Sequence, residues 1–202
     1  METQKFEIAG AQSSINWIGR KVTGTHNGTI AVKQGTLIFN DNKLTGGTVV
    51  IDTTSIKILD ITDPATNAQF AGHLASDDFY AREKHPEPVL EIVAVIGDHV
   101  EANLTIKGIT HPVGFNPVID INGDTLTASG KLTIDRTNYD MKFRSGNFFK
   151  DLGDSLIYND FDLDVNITAK AVQKALVQQD ENIFDNRLAV RQPAGGKGTK
   201  FK

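Results

Sequence analysis

Five acid–base side chains are the first candidates for chemistry in this chain: His26, His73, Asp77, Asp78 and His85. An imidazole beside a carboxylate can act as a general base. His73 or His26 with Asp77 or Asp78 would therefore suit a hydrolase or isomerase that acts on a hydrophobic substrate. Their spacing matches neither a His-Glu-x-x-His metal motif nor a Gly-x-Ser-x-Gly serine elbow. We expect no catalytic residue, no metal site and no cofactor, and the enzyme is the alternative interpretation.

A second candidate is the pair Arg136 and Tyr139, which directly follows residues 125–135. The planar guanidinium of an arginine suits planar or anionic oxygens. The two side chains could therefore meet a polar head group such as a quinone carbonyl, a phosphate or a carboxylate. Arg136 could equally pair with a nearby aspartate at the end of a strand, and the sequence leaves both interpretations open.

Three segments alternate strictly between apolar and polar residues: 99–107, 125–135 and 160–169. A period of two predicts strands with one face in water and one dry face. With the strands of the N-terminal third and residues 89–96, the chain holds roughly eight antiparallel strands. Such a sheet closes into a barrel whose interior is filled by side chains or holds one small ligand. The sequence therefore predicts an all-β fold. The function depends on whether side chains fill the barrel interior or leave room there for a ligand.

One stretch, residues 57–87, breaks the strand pattern. Residues 62–64 (Thr-Asp-Pro) are typical of a helix start, because a capping residue precedes a proline at an early helical position. Phe70 and Leu74 then lie four apart on one face of the predicted helix. We expect this inserted helix to cover an open end of the sheet. A shorter helical turn is predicted at 147–153.

Residues 89–96 form an unusual strand, because they are apolar on both faces except at Glu91. A strand that is dry on both sides needs another element on its outer face. The inserted helix just before it is the nearest candidate. The same apolar face could also pack two barrels into a homodimer.

The composition limits the class of protein. A length of 202 residues suits one large all-β domain, and the absence of cysteine excludes disulfides and thiolate sites. A net charge of −4 argues against nucleic-acid binding, which needs a basic patch. No apolar run approaches the ~18 residues that span a bilayer. The first residues lack an apolar leader region, which predicts a cytoplasmic protein or a mature form whose leader was replaced.

The C-terminal residues 171–202 do not continue the strand pattern. Residues 171–178 predict a weak helix, and residues 193–200 have the composition of a disordered tail. The chain is basic from residue 185 onward. This tail could touch anionic lipid headgroups transiently, or it could be a solvated end.

Six segments in order carry a family resemblance: 14–17, 24–30, 46–52, 72–79, 104–110 and 135–139. Their order and spacing, from about residue 6 to residue 170, resemble the YceI-like family of polyisoprenoid-binding proteins. The resemblance implies a lipocalin-like antiparallel barrel with an elongated apolar tunnel that holds one long isoprenoid chain. It also implies a periplasmic or secreted protein. We accordingly expect a barrel domain at 1–170 and an extension at 171–202.

Under this interpretation the protein is not an enzyme. It binds a polyisoprenoid, an isoprenoid quinone or another long-chain amphiphile for transport, storage or sequestration. Arg136 and Tyr139 lie near the head group. The expected apolar lining is Trp17, Ile30, Val32, Leu37, Phe39, Phe70, Leu74, Phe79, Leu104, Ile106, Leu132, Ile134, Phe143, Phe161, Leu163 and Val165. The same residues could instead pack together as a solid core, which would suit a structural or adhesion module.

The helix around residues 67–75 and the loop that follows to His85 should form a movable lid, since the rest of the domain is held by sheet hydrogen bonds. Phe70, Leu74 and Phe79 should hold this lid down through apolar contacts alone.

Overall fold

A computed structural model describes residues 3–172, and these residues form an antiparallel barrel with one α-helix. The strands are β1 (Thr3–Ile8), β2 (Ser14–Lys21), β3 (Gly24–Asn40), β4 (Lys43–Ile58), β5 (Val89–Ile96), β6 (His99–Ile106), β7 (Ile109–Phe115), β8 (Val118–Asn122), β9 (Thr125–Asp135) and β10 (Ile157–Ala171). The helix is α1 (Pro64–Ala75), and short 3-10 helices occupy Gly10–Gln12, Arg136–Tyr139 and Gly153–Ser155. The all-β prediction is confirmed, with ten strands rather than about eight.

The strands follow the order β7-β6-β5-β4-β3-β1-β10-β9-β8, and every neighbouring pair is antiparallel. β2 follows β1 in the chain and has the same two neighbours in the sheet, β3 and β10. The curled sheet brings β7 beside β9, but no main-chain ladder joins β7 to β8 or β9 within residues 3–172. Side chains close this seam: the His111 ring packs edge-on against Tyr139 with 5.4 Å between centroids.

Two clusters of apolar side chains fill much of the interior. One is built around Phe6 and Phe39, whose rings meet edge-to-face at 5.4 Å between centroids. The other is built around Tyr139 and Met141. Leu163 contacts both clusters, which places them one after the other along the barrel. Each fully buried large side chain contributes about 1.5–3 kcal/mol relative to its exposed state, so these clusters provide the main stabilisation of the barrel.

Helix α1 begins where the sequence predicts it. The carboxylate of Asp63 caps the helix by accepting a hydrogen bond of 2.8 Å from the main-chain N–H of Thr66. The Asn67 amide donates to the main-chain oxygens of Ile58 at 3.0 Å and Ile61 at 2.9 Å. These bonds tie α1 to the end of β4. The expectation that apolar contacts alone hold the helix is therefore wrong.

The outer face of β5 is open in the part of the chain that the structure describes. Val93 is 52% exposed and Ile96 is 66% exposed. Helix α1 instead packs against the end of β4, where the Asn67 amide anchors it beside Ile58. The prediction that α1 covers β5 is therefore wrong. A homodimer through this face stays a prediction.

The remaining expectations concern the C-terminal third. The predicted turn at 147–153 is a series of hydrogen-bonded turns, in which the N–H groups of Phe148 and Phe149 both donate to Ser145. Its helical part comes later, at Gly153–Ser155. The predicted weak helix and basic tail fall almost entirely on residues 173–202, which lie outside the described residues.

Candidate functional site

Residues 3–172 enclose two cavities in the barrel interior. The larger, of about 370 Å³, lies beneath α1. The smaller, of about 100 Å³, lies further along the barrel. Successive inward residues lead from one to the other: Trp17 and Phe161 line the larger cavity, while Ile15 and Leu163, two positions along β2 and β10, line the smaller. The two cavities are therefore in line, and the larger falls in the size range of small-molecule sites.

The larger cavity has a mixed wall of aromatic, aliphatic and charged side chains. Its mouth lies between α1 and the segment after β9, and aromatic contacts cross it. The His73 ring lies 4.6 Å from Phe143 and 5.0 Å from Phe79, measured between centroids. On the other side of α1, Phe70 lies 4.8 Å from the His26 ring. Helix α1 is thus placed as a cover that touches the wall through ring contacts.

The smaller cavity is almost purely apolar. It is lined by side chains from several strands, among them Leu37, Leu104 and Val165, and Ser129 is the one lining residue with a polar side chain. A cavity of this character stays dry and accepts hydrocarbon, since water would find too few hydrogen-bond partners there. The dry interior is therefore partly filled and partly open.

Most of the apolar residues expected from the sequence lie on one of these walls. Those on the larger cavity are Trp17, Phe70, Leu74, Phe79, Phe143 and Phe161. Those on the smaller cavity are Leu37, Leu104, Leu132, Leu163 and Val165. The others are buried among side chains and border neither cavity: Ile30, Val32, Phe39, Ile106 and Ile134.

Sequence reasoning missed several lining residues. Ile167 continues the alternating face of β10 and could have been included from its period alone. Met141 and Ile157 also line the larger cavity. Met141 lies in irregular chain and Ile157 is the first residue of β10, so neither belongs to a repeating pattern in the sequence before it. Ile56 lines the same cavity near the end of β4. Only the first of these carried a clear signal in the sequence.

Of the two arrangements that the sequence left open for Arg136, pairing with an aspartate is wrong, since its hydrogen-bond partners within residues 3–172 are main-chain oxygens, and contact with a head group stays a prediction. Arg136 is 4% exposed, and its guanidinium donates to the main-chain oxygens of Met141, of Ile157 at 3.0 Å and of Tyr158 at 3.0 Å. Burial lowers the pKa of Arg136, and the charge of Asp135 opposes this shift. Arg136 therefore joins the segment after β9 to the start of β10, and it brings a positive charge to the wall of the larger cavity.

Tyr139 lies away from both cavities. It is almost fully buried in the seam between β7 and β9, where its ring packs on His111. Burial raises the pKa of Tyr139 to about 12. The phenol therefore stays neutral at physiological pH, and its position fits a role in closing the seam.

Two imidazole–carboxylate pairs flank the mouth of the larger cavity. His73 Nε2 lies 3.1 Å from Asp78 Oδ2, and His26 Nδ1 lies 2.7 Å from Asp60 Oδ2. Both histidines border the cavity. Asp77 instead pairs with a lysine, Lys84. One pair required by the enzyme alternative is thus present, while the partner of His26 is a carboxylate that the sequence did not indicate.

His85 lies outside the wall of the larger cavity, close to Gly108. Within residues 3–172, no group of three or more histidine or acidic side chains is arranged to hold a metal ion. In the same range, no helix has the length and hydropathy needed to cross a membrane.

Asp60 joins the segment between β4 and α1 to strand β3. Its carboxylate accepts hydrogen bonds from the main-chain N–H of Asn27 at 2.9 Å and from the His26 ring. Burial raises the pKa of Asp60, but these hydrogen bonds outweigh burial, and the pKa lies below its ordinary value. The charged form of Asp60 is thus favoured in the folded protein.

We expect the Asp60 carboxylate to make the stability of the folded protein depend on pH in the acid range. The unfolded-state pKa of an aspartate is about 3.9. Because the folded-state pKa of Asp60 is lower, its contribution is complete above that value and is lost as the pH falls through the folded-state pKa. The thermal midpoint of the wild type should therefore fall more steeply below about pH 4 than that of Asp60→Asn, which cannot titrate there. Parallel melting midpoints of the two proteins across this range would contradict the prediction.

An antiparallel sheet curled around an apolar interior, with a helix over one mouth, defines a lipocalin-like barrel, as the sequence resemblance implied. The chain belongs to the YceI-like family, since the model of the YceI-like domain matches residues 6–169. A search of curated proteins finds no significant match.

Two solved structures support the fold. BcnA from Burkholderia cenocepacia superposes with a TM-score of 0.60 at 21% identity, covering 81% of this chain and 99% of that chain. A polyisoprenoid binding domain from Saccharophagus degradans, described as implicated in plant cell wall breakdown, superposes with a TM-score of 0.60 at 12% identity. It covers 83% of this chain and 98% of its own. At such identities the likeness concerns the fold, and function must be argued from the site.

Proposed function

We propose that the protein binds one long-chain isoprenoid lipid, a polyisoprenoid or an isoprenoid quinone, without chemically changing it. The observation that carries this proposal is the pair of cavities in line, of which the inner one is almost purely apolar. Two cavities in line, with an apolar inner one, suit a hydrocarbon chain better than a compact polar substrate. Membership of the YceI-like family supports the same proposal, as does the similar fold of a polyisoprenoid binding domain.

The charges on the two walls give the lipid a direction. The larger cavity is bordered by the four cations Arg20, Lys21, Arg136 and Arg144 and by the two carboxylates Asp154 and Asp160, whereas the smaller has no charged side chain on its wall. Guanidinium and ammonium groups suit carbonyl, phosphate or carboxylate oxygens. We therefore place the head group beneath α1 and the chain in the interior.

The energetics suit reversible loading. Each CH₂ moved from water into an apolar site is worth ~0.8 kcal/mol. The lipid, however, comes from a bilayer whose tails are as apolar as leucine, so the gain relative to the membrane is small. A protein with this balance can take up and release its lipid, which fits transport, storage or sequestration. Family resemblance also supports a periplasmic or secreted location, which cell fractionation would test.

The direct test is to extract freshly purified protein into organic solvent and identify the lipid by mass spectrometry. We expect a prenyl lipid in about one copy per chain, as a single in-line site requires. A delipidated sample should bind an added polyprenol. Absence of any prenyl or other long-chain lipid, together with no binding on addition, would refute the proposal.

A second candidate function rests on the His73–Asp78 pair at the cavity mouth. An oriented imidazole could act as a general base on a bound prenyl ester, as a hydrolase requires. Under this alternative, purified protein hydrolyses a prenyl ester and His73→Gln abolishes the turnover. If wild type and His73→Gln show the same rate as buffer, the enzyme alternative fails and the binding proposal stands.

The position of Phe70 leads to a prediction about lipid exchange. Phe70 is half-buried on α1, against the His26 ring, and it borders the larger cavity. Phe70→Ala should remove a closing contact and speed lipid exchange several-fold, while costing less than the ~3–5 kcal/mol typical of a core phenylalanine. Release of a fluorescent fatty acid to vesicles and urea unfolding measure the two effects.

Phe39 is the matched control, because it is 2% exposed and borders neither cavity. Phe39→Ala should show the full core penalty, ~3–5 kcal/mol, as expected for a cavity left in a packed cluster. A Phe70→Ala variant that loses as much stability as Phe39→Ala would mean that α1 is part of the core and not a lid.

A further inference from the structure

A basic and aromatic segment borders the mouth of the larger cavity. Residues 142–150 read Lys-Phe-Arg-Ser-Gly-Asn-Phe-Phe-Lys, with three cations and no carboxylate, in a chain of net charge −4. The two adjacent rings are open to solvent, with Phe148 52% exposed and Phe149 47% exposed. Large apolar side chains that are exposed side by side at a site entrance usually mark an interaction surface.

The segment is firmly attached to the rim of the cavity. Phe143 and Arg144 form part of the cavity wall, and the main-chain oxygen of Arg144 accepts a hydrogen bond of 2.9 Å from the N–H of Ile157. Ser145 is fully buried and donates to Asn159 Oδ1 at 2.7 Å. The exposed rings are therefore presented from a fixed base beside the entrance.

Cations and rings are interleaved in space as well as in sequence. Lys142 Nζ lies 5.1 Å from the centre of the Phe148 ring and also pairs with Asp140 Oδ1 at 2.7 Å, which leaves Arg144 and Lys150 as the cations of the segment without a carboxylate partner among the described residues. The Arg144 guanidinium lies 5.1 Å from the centre of the Phe143 ring. Rings beside cations suit the interface of an anionic bilayer, where aromatic side chains enter the headgroup region and cations meet lipid phosphates.

We infer that residues 142–150 are the surface by which the protein docks on an anionic membrane, with the mouth of the larger cavity toward the bilayer. The inference rests on the proposed function, because a lipid carrier must meet the membrane at its entrance. Outside the segment, residues 3–141 and 151–172 hold more carboxylates than cations, which disfavours contact of those parts of the barrel with anionic lipid. A second copy of the chain fits this segment less well, since a two-fold contact would bring like charges together.

The test is cosedimentation with vesicles of equimolar phosphatidylglycerol and phosphatidylcholine, compared with phosphatidylcholine alone. Wild type should bind only the anionic vesicles, and added salt should weaken binding. The double variant Phe148→Ser with Phe149→Ser, and separately Lys150→Glu, should bind at least about tenfold more weakly. The matched control is Ile96→Ser with Val118→Ser, which removes two apolar residues outside the segment that are more exposed than Phe148 and Phe149, and it should bind like wild type.

All variants should keep the thermal midpoint of the wild type, because the substituted side chains are exposed. Equal binding by wild type and the segment variants, or no binding by wild type, would overturn the inference. So would a wild-type dimer in sedimentation equilibrium that the segment variants convert to a monomer. Lipid extraction separates the two proposals. A prenyl lipid extracted from a protein that does not bind vesicles overturns only the docking surface. Vesicle binding by a protein from which no prenyl or other long-chain lipid is extracted overturns the proposed function.

Discussion

Replacing Arg136 with methionine should lower the free energy of unfolding by about 3 kcal/mol or more. The substitution leaves the main-chain oxygens of Met141, Ile157 and Tyr158 without their donor. A buried acceptor without a partner costs about 1–3 kcal/mol; the bond to Met141 is buried and the bonds to Ile157 and Tyr158 are part-buried, and all three are lost together. The desolvation of the buried cation is removed at the same time, which reduces the loss. The three carbonyls outweigh it, and urea unfolding measures the difference.

Arg144→Met is the control for this prediction. Arg144 borders the same cavity, but its side chain is exposed and makes a cation–π contact with the Phe143 ring. An exposed cation–π contact is worth about 0.5–1 kcal/mol, so the loss should not exceed that value. If Arg136→Met were no more destabilising than Arg144→Met, Arg136 would not be the link between the segment after β9 and the start of β10.

Filling the smaller cavity should restrict the length of the bound lipid. Leu163 faces this cavity on β10, next to Phe161 on the larger one. Leu163→Trp places a large ring in the path from the wide cavity to the narrow one. We expect binding of a long polyprenol to fall at least about tenfold, or ~1.4 kcal/mol, while a short prenyl alcohol still binds. Overpacking should cost about 1–3 kcal/mol of stability.

Native mass spectrometry of the delipidated protein with each alcohol measures this effect. Asn166→Trp is the matched control, because residue 166 lies on the same strand with its side chain exposed. That variant should bind both alcohols as the wild type does. Equal loss of the short and the long alcohol in Leu163→Trp would mean that the two cavities do not serve one chain.

The sequence predicts the strands with one wet face almost residue by residue. Residues 99–107 correspond to β6, and residues 125–135 correspond to β9. The short strands β7 and β8 were missed. Pro112 and Gly114 interrupt β7, which weakens its strand signal, although its inward residues do alternate. Periodicity thus locates strands that are long enough to repeat a pattern, and it loses those of a few residues.

The site was predicted less completely, for a physical reason. Burial of an apolar side chain follows from period two, but whether it borders a cavity depends on how neighbouring side chains pack. Leu37 and Phe39 lie two positions apart on the same face of β3. Only Leu37 borders a cavity, because Phe39 packs on Phe6. Polar partners are harder still: the His26–Asp60 pair joins residues far apart in sequence, and no local pattern connects them.

The side-chain seam between β7 and β9 is where we expect the barrel to widen most easily. A fully laddered barrel cannot widen without breaking main-chain hydrogen bonds. Between β7 and β9, within residues 3–172, side chains take the place of a ladder: the His111 ring packs on Tyr139, and Phe115 lies beside Gly130. We expect these two strands to separate without loss of main-chain hydrogen bonds between them. Leu132 and Phe115, on either side of the seam, both border the smaller cavity. The smaller cavity therefore borders the seam, and we expect a thicker bound chain to be accommodated by separation of β7 from β9.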